Sequence, residues 1–296
     1  MQRPRLYRRL FRRLLRVPVE VCSLCLTLVR LAWLSVINRF VQAPITRPGG
    51  PVVSLTSYGK RIHTVHFTIE SIGRGHVLPS RLILWLDDKG AFENPPEALR
   101  RLMDRGLEVK LCKNYGPHTK YYPYVESEPT FEAPLITADD DVVYPSFWLS
   151  GLVQASRQRP DLMHCYLSKT IALKDGRVAS YSDWEFSRSA EPSLCRVAHG
   201  VFGAFYPLPL LTALKEAGNA FEQCCPKADD LWLHVHALRR GCKVKQIHPK
   251  PTRFPTIPGT QRDGLWIENH KSGNDDAVRS TYTQRDIEML QAGCRQ

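Results

Sequence analysis

Three consecutive aspartates, Asp139, Asp140 and Asp141, interrupt an apolar run in the segment LITADDDVVYP. The like charges repel one another, and the apolar flanks would draw them towards a core where unpaired carboxylates are costly. In an extended chain, side chains alternate between two faces, so Asp139 and Asp141 would point one way and Asp140 the other. Two carboxylates on one side suit Mg²⁺ or Mn²⁺, which often complete their shells with substrate phosphates. The triplet therefore predicts a metal site, although a solvated acidic turn would show the same pattern.

The segments around the aspartates alternate between strand and helix patterns. The strand patterns cover 51–58, 81–88, 107–113 and 133–141, and the helix patterns between them cover 62–73 and 95–106. The second helix pattern begins with prolines and ends at Gly106, as helix start and stop signals predict. Such alternation predicts βαβ units, a mainly parallel sheet, and ligands at the carboxyl ends of the strands. The aspartates fall at such an end, which is a ligand position.

The second half of the chain continues this alternation less regularly. We predict strands over 164–173 and 242–247, a helix over 227–241, and a last helix in STYTQRDIEMLQAG capped by Ser280 or Thr283. The tail from about 249 to that helix reads as loop. No internal repeat or low-complexity linker divides residues 48–296, so we expect them to form one domain.

Composition and charge exclude one class of partner. The 296 residues are 43% hydrophobic and 24% charged, and the chain is long enough to bury a substantial core. The formal net charge is +12, but ten arginines and a single glutamate lie within residues 1–47. The basic excess therefore belongs to the N-terminal segment. No helix-turn-helix, RNP-type or zinc-finger signature accompanies it, so we expect no nucleic-acid partner.

The N-terminal segment carries a membrane-binding pattern. RPRLYRRLFRRLLR alternates arginine pairs with apolar pairs at helical spacing, which favours a helix in the headgroup region of an anionic membrane. An ordinary solvated basic helix is the alternative. Residues 17–41 are long enough to span a bilayer, but Arg30 lies near their middle, and a central arginine costs about 2.5–3.5 kcal/mol. We expect peripheral or monotopic attachment rather than a span, and no cleavable signal peptide.

The nine cysteines give no sign of a metal site or a disulfide framework. Cys22 and Cys25 form a CxxC pair without a second pair of cysteine or histidine ligands, so we expect no zinc. Scattered cysteines in odd number suit a reducing compartment. We therefore expect the protein on the cytoplasmic face of the inner (plasma) membrane.

Several motifs in a fixed order are more specific than any one of them. They are VVSLTSYGKRIHTVHFTIES, LILWLDD, GPHTKYYPYV, LITADDDVVYP, HGVFGAFYP, KADDLWL and GLWIENHKSGND, and they span about residues 51–280. This succession resembles a family of bacterial GT-A-type (family 2-like) glycosyltransferases that carry a DDD version of the DxD motif. The resemblance implies a GT-A fold, which is a Rossmann-like α/β fold with a mainly parallel sheet and flanking helices. It also implies metal-dependent sugar transfer from a nucleotide-diphospho-sugar to a hydroxyl acceptor.

The resemblance also implies a donor site across the first strands. Asp139 and Asp141 would hold Mn²⁺ or Mg²⁺ and contact the donor, with Asp140 as a further donor contact. Lys120 would neutralise the diphosphate, unless it is simply a solvent-facing lysine. The remaining predicted donor contacts are Thr56, Tyr58, Arg61, Gly200, Gly203 and, where LWLDDKG departs from the family pattern, Asp88.

A general base is expected at the second acidic pair, Asp229 and Asp230. Acidic residues favour a helix N-terminus through the dipole alone, so a cap is the alternative. An inverting transferase needs a carboxylate that takes the acceptor proton, and similar GT-A enzymes place it at a helix start. We therefore prefer Asp230, with Asp229 as the alternate. In the tail, His270 would add a metal contact, and Asn274 and Asp275 would close over the donor.

Three other functions compete with this interpretation. A phosphohydrolase with a DxDx[TV] nucleophile is disfavoured because the first strand, VVSLTSY, has no acid. A metal-dependent nucleotidyltransferase and a non-catalytic, membrane-docked nucleotide- or glycan-binding module stay open. We expect a role in surface polysaccharide or glycolipid assembly, with a glycan or lipid-linked acceptor that a membrane-held enzyme reaches faster.

Overall fold

The computed structural model describes residues 4–263 and 273–294 and contains two compact units, Met1–Val41 and Gln42–Gln296. The first unit is a single helix, α1, over Pro4–Phe40. Among the described residues, its part Val21–Phe40 is the one stretch long and apolar enough to cross a membrane, judged by length and composition.

The second unit is an α/β fold built on a mostly parallel sheet. In order along the sheet, its strands are β12 (Val244–Gln246), β5 (Met163–Cys165), β11 (Ala204–Tyr206), β4 (Leu135–Thr137), β1 (Val52–Thr56), β2 (Arg81–Leu86) and β3 (Leu107–Leu111). All neighbouring pairs are parallel except those made by β11, which runs antiparallel to β4 and β5. The carboxyl ends of β1, β2 and β4 therefore meet at one edge, as the alternating pattern predicts.

Helices cover both faces of this sheet. In β2, Ile83 and Trp85 belong to one apolar core, and Leu82 and Leu84 to the other, because successive strand side chains point to opposite faces. Buried strands with apolar residues on both faces require such double cover. The helices are α2 (Val65–Gly73), α3 (Lys89–Glu93), α4 (Glu97–Met103), α5 (Tyr122–Ser127), α6 (Trp148–Gln158), α7 (Leu208–Ala217), α8 (Phe221–Cys224), α9 (Asp229–Arg239), α10 (Asn274–Thr281) and α11 (Gln284–Gly293).

The strand predicted over 164–173 is divided between two sheets. Its first part, β5, pairs within the large sheet, whereas β6 (Ser168–Thr170) pairs with β10 (Arg196–Ala198) and β9 (Glu185–Phe186) in a small antiparallel sheet. A hairpin of β7 (Leu173–Lys174) and β8 (Arg177–Val178) follows. The sequence pattern does not show this break, because β5, β6 and the start of β7 lie in one continuous strand-like segment.

The C-terminal tail is more ordered than the sequence predicts. Residues 274–281 form α10, where a loop was expected, and Thr283 caps α11 in a capping box with Asp286. A disulfide joins Cys195 in the loop before β10 to Cys294 after α11, with 5.8 Å between the Cα atoms. The expectation of unpaired cysteines is therefore wrong at this position, because the fold brings together two residues 99 apart in sequence.

Candidate active site

The acid triplet lies just past the carboxyl end of β4, beside the end of β1. The strand ends at Thr137, and Asp140 and Asp141 lie on a turn, so the predicted extended alternation is wrong here. Asp140 is buried and accepts hydrogen bonds from Ser57 Oγ (2.7 Å) and Arg61 Nη1 (2.8 Å). Both oxygens of Asp140 are thus held by protein groups.

Arg61 supplies the positive charge that the triplet requires. Its Nη1 lies 3.3 Å from Asp141 Oδ2, and its Nη2 donates to the carbonyl of Thr260 at 2.8 Å. Burial opposes the charge of Arg61, but Asp140 and Asp141 hold its pKa above the ordinary value. Arg61 is therefore engaged with the acid triplet, whereas the sequence placed it among the nucleotide contacts.

Asp139 and Asp141 are the carboxylates of the triplet that would hold a divalent cation, since both oxygens of Asp140 are held by Ser57 and Arg61. Burial first, and then the charges of Asp139 and Asp140, raise the pKa of Asp141 to about 6. Such a raised pKa is expected where neighbouring cations compensate the negative charge only in part. A bound cation would add the missing positive charge. Across the described ranges, no group of three or more His, Cys, Asp or Glu side chains is arranged to hold a metal. Two carboxylates completed by substrate phosphates nevertheless form a set that Mg²⁺ accepts.

A buried lysine links the triplet to the second acidic pair. Lys120 Nζ lies 3.0 Å from Asp139 Oδ1 and 3.1 Å from Asp229 Oδ2. Although burial opposes its charge, Asp139, Asp229 and Asp230 raise the pKa of Lys120 well above the ordinary value. Lys120 is 9% exposed, so it is not the solvent-facing lysine that the sequence left open.

Asp230 lies in a buried and acidic environment that raises its pKa. Its Oδ1 accepts a hydrogen bond from the backbone N–H of Gly200 (3.0 Å), and its Oδ2 lies 3.6 Å from His199 Nδ1. Burial first, then the charge of Asp229, raise the pKa of Asp230 to about 8, against the opposing charge of Lys120. The Asp230 side chain is 26% exposed and that of Asp229 only 10%. Asp230 is thus the more accessible of the pair.

A cavity of about 520 Å³ opens where β1 and β2 end. Tyr58 and Asp88, two of the predicted donor contacts, both line it. Asp88 also accepts a hydrogen bond from Ala91 N at 3.0 Å and so caps α3. The volume lies in the range of small-molecule sites. Thr56, by contrast, donates its hydroxyl to the carbonyl of Trp85 at 3.1 Å.

The two predicted glycines have different surroundings. A Cβ on Gly200 would lie 3.2 Å from Lys120 Nζ and 3.4 Å from Asp230 Oδ1, so Gly200 belongs to the acidic site. Gly203 has φ +100°, and a Cβ there would lie 2.5 Å from the Trp148 ring. Gly203 is therefore required for packing against Trp148 and for its backbone conformation.

The tail residues predicted to close over the donor are placed differently. His270 lies outside the described residues. Asn274 begins α10, and Asp275 accepts hydrogen bonds from the backbone N–H of Tyr181 (2.6 Å) and from Ser180 Oγ (2.9 Å). Asp275 thus fixes the segment before β9.

Sequence reasoning missed three residues that contact the acidic groups. Ser57 binds Asp140, His199 lies beside Asp230, and Gln261 Nε2 donates to Asp141 Oδ2. Ser57 could have been found, because it directly follows the first strand in SLTSY. His199 precedes a glycine in HGVFG, which is a weak signal. Gln261 is 120 residues from Asp141, and no local pattern marks it.

Comparison with known proteins identifies the fold. No family model and no curated protein matches the chain. The structure is similar to mannosyltransferase PcManGT from Pyrobaculum calidifontis in complex with GDP-Man and Mn²⁺, with 14% identity over 92% of this chain and 80% of that one and a TM-score of 0.51. A weaker likeness is to S. aureus TarS 1-349, with 12% identity over 81% of this chain and 69% of that one and a TM-score of 0.46. Another is to CMP:2-keto-3-deoxy-manno-octonic acid synthetase complexed with CTP, with 12% identity over 75% of this chain and 99% of that one and a TM-score of 0.41. The first likeness shows a GT-A-like fold.

The raised pKa of Asp230 predicts that its amide variant is more stable at alkaline pH. The folded chain holds the proton up to about pH 8, whereas an unfolded aspartate releases it near pH 3.9. The resulting stability is complete below the unfolded pKa and is lost as the pH rises through 8. Asp230→Asn keeps a neutral side chain, so we expect it to gain about 1–3 kcal/mol of unfolding free energy at pH 8.5 and little at pH 4.

Urea denaturation of the ligand-free chain at both pH values measures this difference. The control is Glu93→Gln, which changes an exposed carboxylate on α3. An Asp230→Asn variant no more stable than the parent chain at pH 8.5 would contradict the raised pKa.

Proposed function

We propose that this chain is a metal-dependent glycosyltransferase that moves a sugar from a nucleotide-diphospho-sugar to a hydroxyl acceptor, with residues 48–296 as its catalytic domain. One observation carries the proposal. At the carboxyl ends of the strands of a GT-A-like sheet, Lys120 joins Asp139 to Asp229, the neighbour of Asp230, and Ser57, which binds Asp140, lines the cavity that also contains Tyr58. This arrangement supports a donor site with a base beside it.

In this proposal Asp230 is the general base. Its ionised form would take the proton of the acceptor hydroxyl as that oxygen attacks the anomeric carbon. The Gly200 N–H, bonded to Oδ1, orients the carboxylate and leaves Oδ2 towards His199 and the acceptor. The charge of Lys120 favours the ionised form and offsets part of the repulsion from Asp229.

Asp139 and Asp141 would hold Mn²⁺ or Mg²⁺, which when bound neutralises the diphosphate of the donor. Lys120, 3.0 Å from Asp139, lies where its ammonium would add positive charge beside the leaving diphosphate. Tyr58 and Asp88 would contact the nucleoside in the cavity. Asp140 and Arg61 would hold the acidic turn in shape through their 2.8 Å ion pair.

We place the enzyme on the cytoplasmic face of the inner membrane, attached peripherally through residues 1–41, in surface polysaccharide or glycolipid assembly. The basic amphipathic pattern and the apolar stretch Val21–Phe40 support the attachment to a membrane. An acceptor that is itself membrane-bound would then meet the enzyme at high local concentration.

Donor binding is the first test. We expect one nucleotide family, among UDP-, GDP-, CMP- and dTDP-sugars, to raise the melting temperature of the full chain only when Mn²⁺ or Mg²⁺ is present. Asp141→Asn should abolish the shift, because it removes one of the two carboxylates that would hold the metal. Asp276→Asn, at an exposed carboxylate on α10, is the matched control and should keep the shift.

Absence of a shift with every nucleotide sugar would contradict the proposal. Incorporation of a nucleotide from CTP or another triphosphate, with release of pyrophosphate, would favour the nucleotidyltransferase alternative. Binding without any turnover would favour the binding module.

The general base is tested by kinetics with the donor so identified. Asp230→Asn should lower kcat by about 10²–10⁴-fold, the usual contribution of general-base catalysis, with little change in donor affinity. In the parent enzyme kcat/KM should rise with pH to a plateau, with an apparent pKa near 8 that falls if a bound cation adds positive charge. Asp229→Asn would be the more damaging variant if the alternate assignment were correct.

Membrane attachment is tested by vesicle co-sedimentation of the full chain. Reversing Arg8, Arg9, Arg12 and Arg13 to glutamate should weaken binding to anionic vesicles at least tenfold, since each basic residue near such a surface contributes about 1 kcal/mol. Binding to neutral vesicles should change little. Resistance of the parent protein to alkaline carbonate extraction would show a helix embedded in the bilayer and contradict peripheral attachment.

A further inference from the structure

A group of side chains next to Asp230 has no part in the chemistry proposed above. We call it the basic–aromatic cluster, and its members are Lys169, Tyr181, Phe186, His199 and Arg253. Lys169 lies on β6 directly opposite Phe186 on β9, which places their side chains on the same face of the small sheet. Arg253 lies over the Phe186 ring, with its guanidinium carbon 5.0 Å from the ring centroid.

Lys169 is a buried cation that no carboxylate neutralises. It is 9% exposed, and its Nζ lies 4.1 Å from the centroid of the Tyr181 ring and 5.6 Å from that of Phe186. No carboxylate in the described part of the chain lies within ion-pair distance of it. Burial lowers its pKa, and no neighbouring acid raises it again. A ring face stabilises an ammonium by about 0.5–2 kcal/mol or somewhat more when it is desolvated, whereas desolvating an ion costs several kcal/mol.

The cluster reaches the proposed base through His199. Tyr181 Oη lies 3.4 Å from His199 Nε2, and His199 Nδ1 lies 3.6 Å from Asp230 Oδ2. The other oxygen of Asp230 faces Gly200 and the Lys120 side of the site. The cluster therefore approaches Asp230 through Oδ2, and the Gly200 N–H beside Lys120 approaches it through Oδ1.

The cluster also offers surface to a ligand. Phe186 is 37% exposed and Arg253 is exposed, so an aromatic face and a cation are open to solvent beside the buried ammonium. Apolar rings combined with a few placed charges are typical of small-molecule sites.

We propose that the basic–aromatic cluster is the acceptor subsite and that it selects an anionic sugar. This inference rests on the proposed function. The phosphate or carboxylate of the acceptor would bind Lys169 and Arg253, and its ring would lie against Phe186. The hydroxyl that attacks would then point along His199 towards Asp230.

Ligand-observed NMR on the full chain tests this subsite without needing transfer. The probes are glucose 1-phosphate, glucuronate and neutral glucose. We expect the two anions to bind and glucose to bind at least tenfold more weakly, because a hydrogen bond to a buried charge carries that much affinity. Lys169→Gln should weaken the anions at least tenfold and leave glucose unchanged. Preference for the phosphate or for the carboxylate distinguishes the two sources of charge.

Three further variants keep the test decisive. Lys174→Gln removes an exposed lysine on β7 and should bind like the parent chain. Lys169→Arg keeps the charge and should restore anion binding. Arg253→Gln changes an exposed side chain and should weaken anion binding without affecting the fold, so it is informative even if Lys169→Gln fails to fold.

Failure of this inference and failure of the proposed function have different signatures. Equal anion binding by the parent chain, Lys169→Gln and Arg253→Gln overturns the subsite, even where a nucleotide sugar binds with metal. Anion binding that depends on Lys169, in a chain that binds no nucleotide sugar, supports an anion site and overturns the transferase. With an active enzyme, Lys169→Gln should raise KM for an anionic acceptor and leave KM for the donor unchanged.

Discussion

Crowded negative charge at one edge of the sheet is the constraint on which the site depends. Asp139, Asp140, Asp141, Asp229 and Asp230 gather there, and the cations that the described residues bring to them are Arg61 and Lys120. Carboxylates this close remain ionised only where positive charge or hydrogen-bond donors face them. That compensation comes from Ser57 and Arg61 after β1, from Lys120, and from the backbone N–H of Gly200.

In the chain without ligands these cations and donors compensate the negative charge only in part, so two of the carboxylates hold protons more strongly than usual. The pKa of Asp141 is raised to about 6 and that of Asp230 to about 8, in both cases by burial first and neighbouring acids second. These shifts are a cost of folding that a stability-optimised core would avoid. They have a use where a cation binds at one carboxylate and a proton moves at the other. Perturbed carboxylates in an open site are for this reason more typical of catalysis than of structure.

Local pattern predicted the fold well and the site only in part. Each segment shows the alternation of strands and helices, so the parallel sheet and the place of the aspartates past a strand end were predictable. Tyr58 was named as a donor contact from the family resemblance and Asp88 where the chain departs from it; both line the cavity, and their donor role stays a prediction. Local pattern does not show which residues distant in sequence come into contact in the fold. Neither the pattern nor the family resemblance, which placed Arg61 at the nucleotide, predicted its contact with Asp140, 79 residues away. His199 and Gln261 were overlooked as well. The strand break between β5 and β6 was hidden in the same way, because only pairing with β9 and β10 defines it.

The distribution of cations suggests how one site would handle two anionic substrates, if the proposed function and its acceptor subsite are correct. A diphosphate would be repelled by an edge rich in carboxylates, and Lys120 is already shared among three of them. Donor binding must therefore bring its own positive charge, which is the physical case for a divalent metal. Lys169, by contrast, contacts only ring faces among the described residues, so its charge is available to a ligand directly. Placing the committed cation towards Asp230 Oδ1 and the uncommitted one towards Oδ2 would keep donor and acceptor from exchanging places.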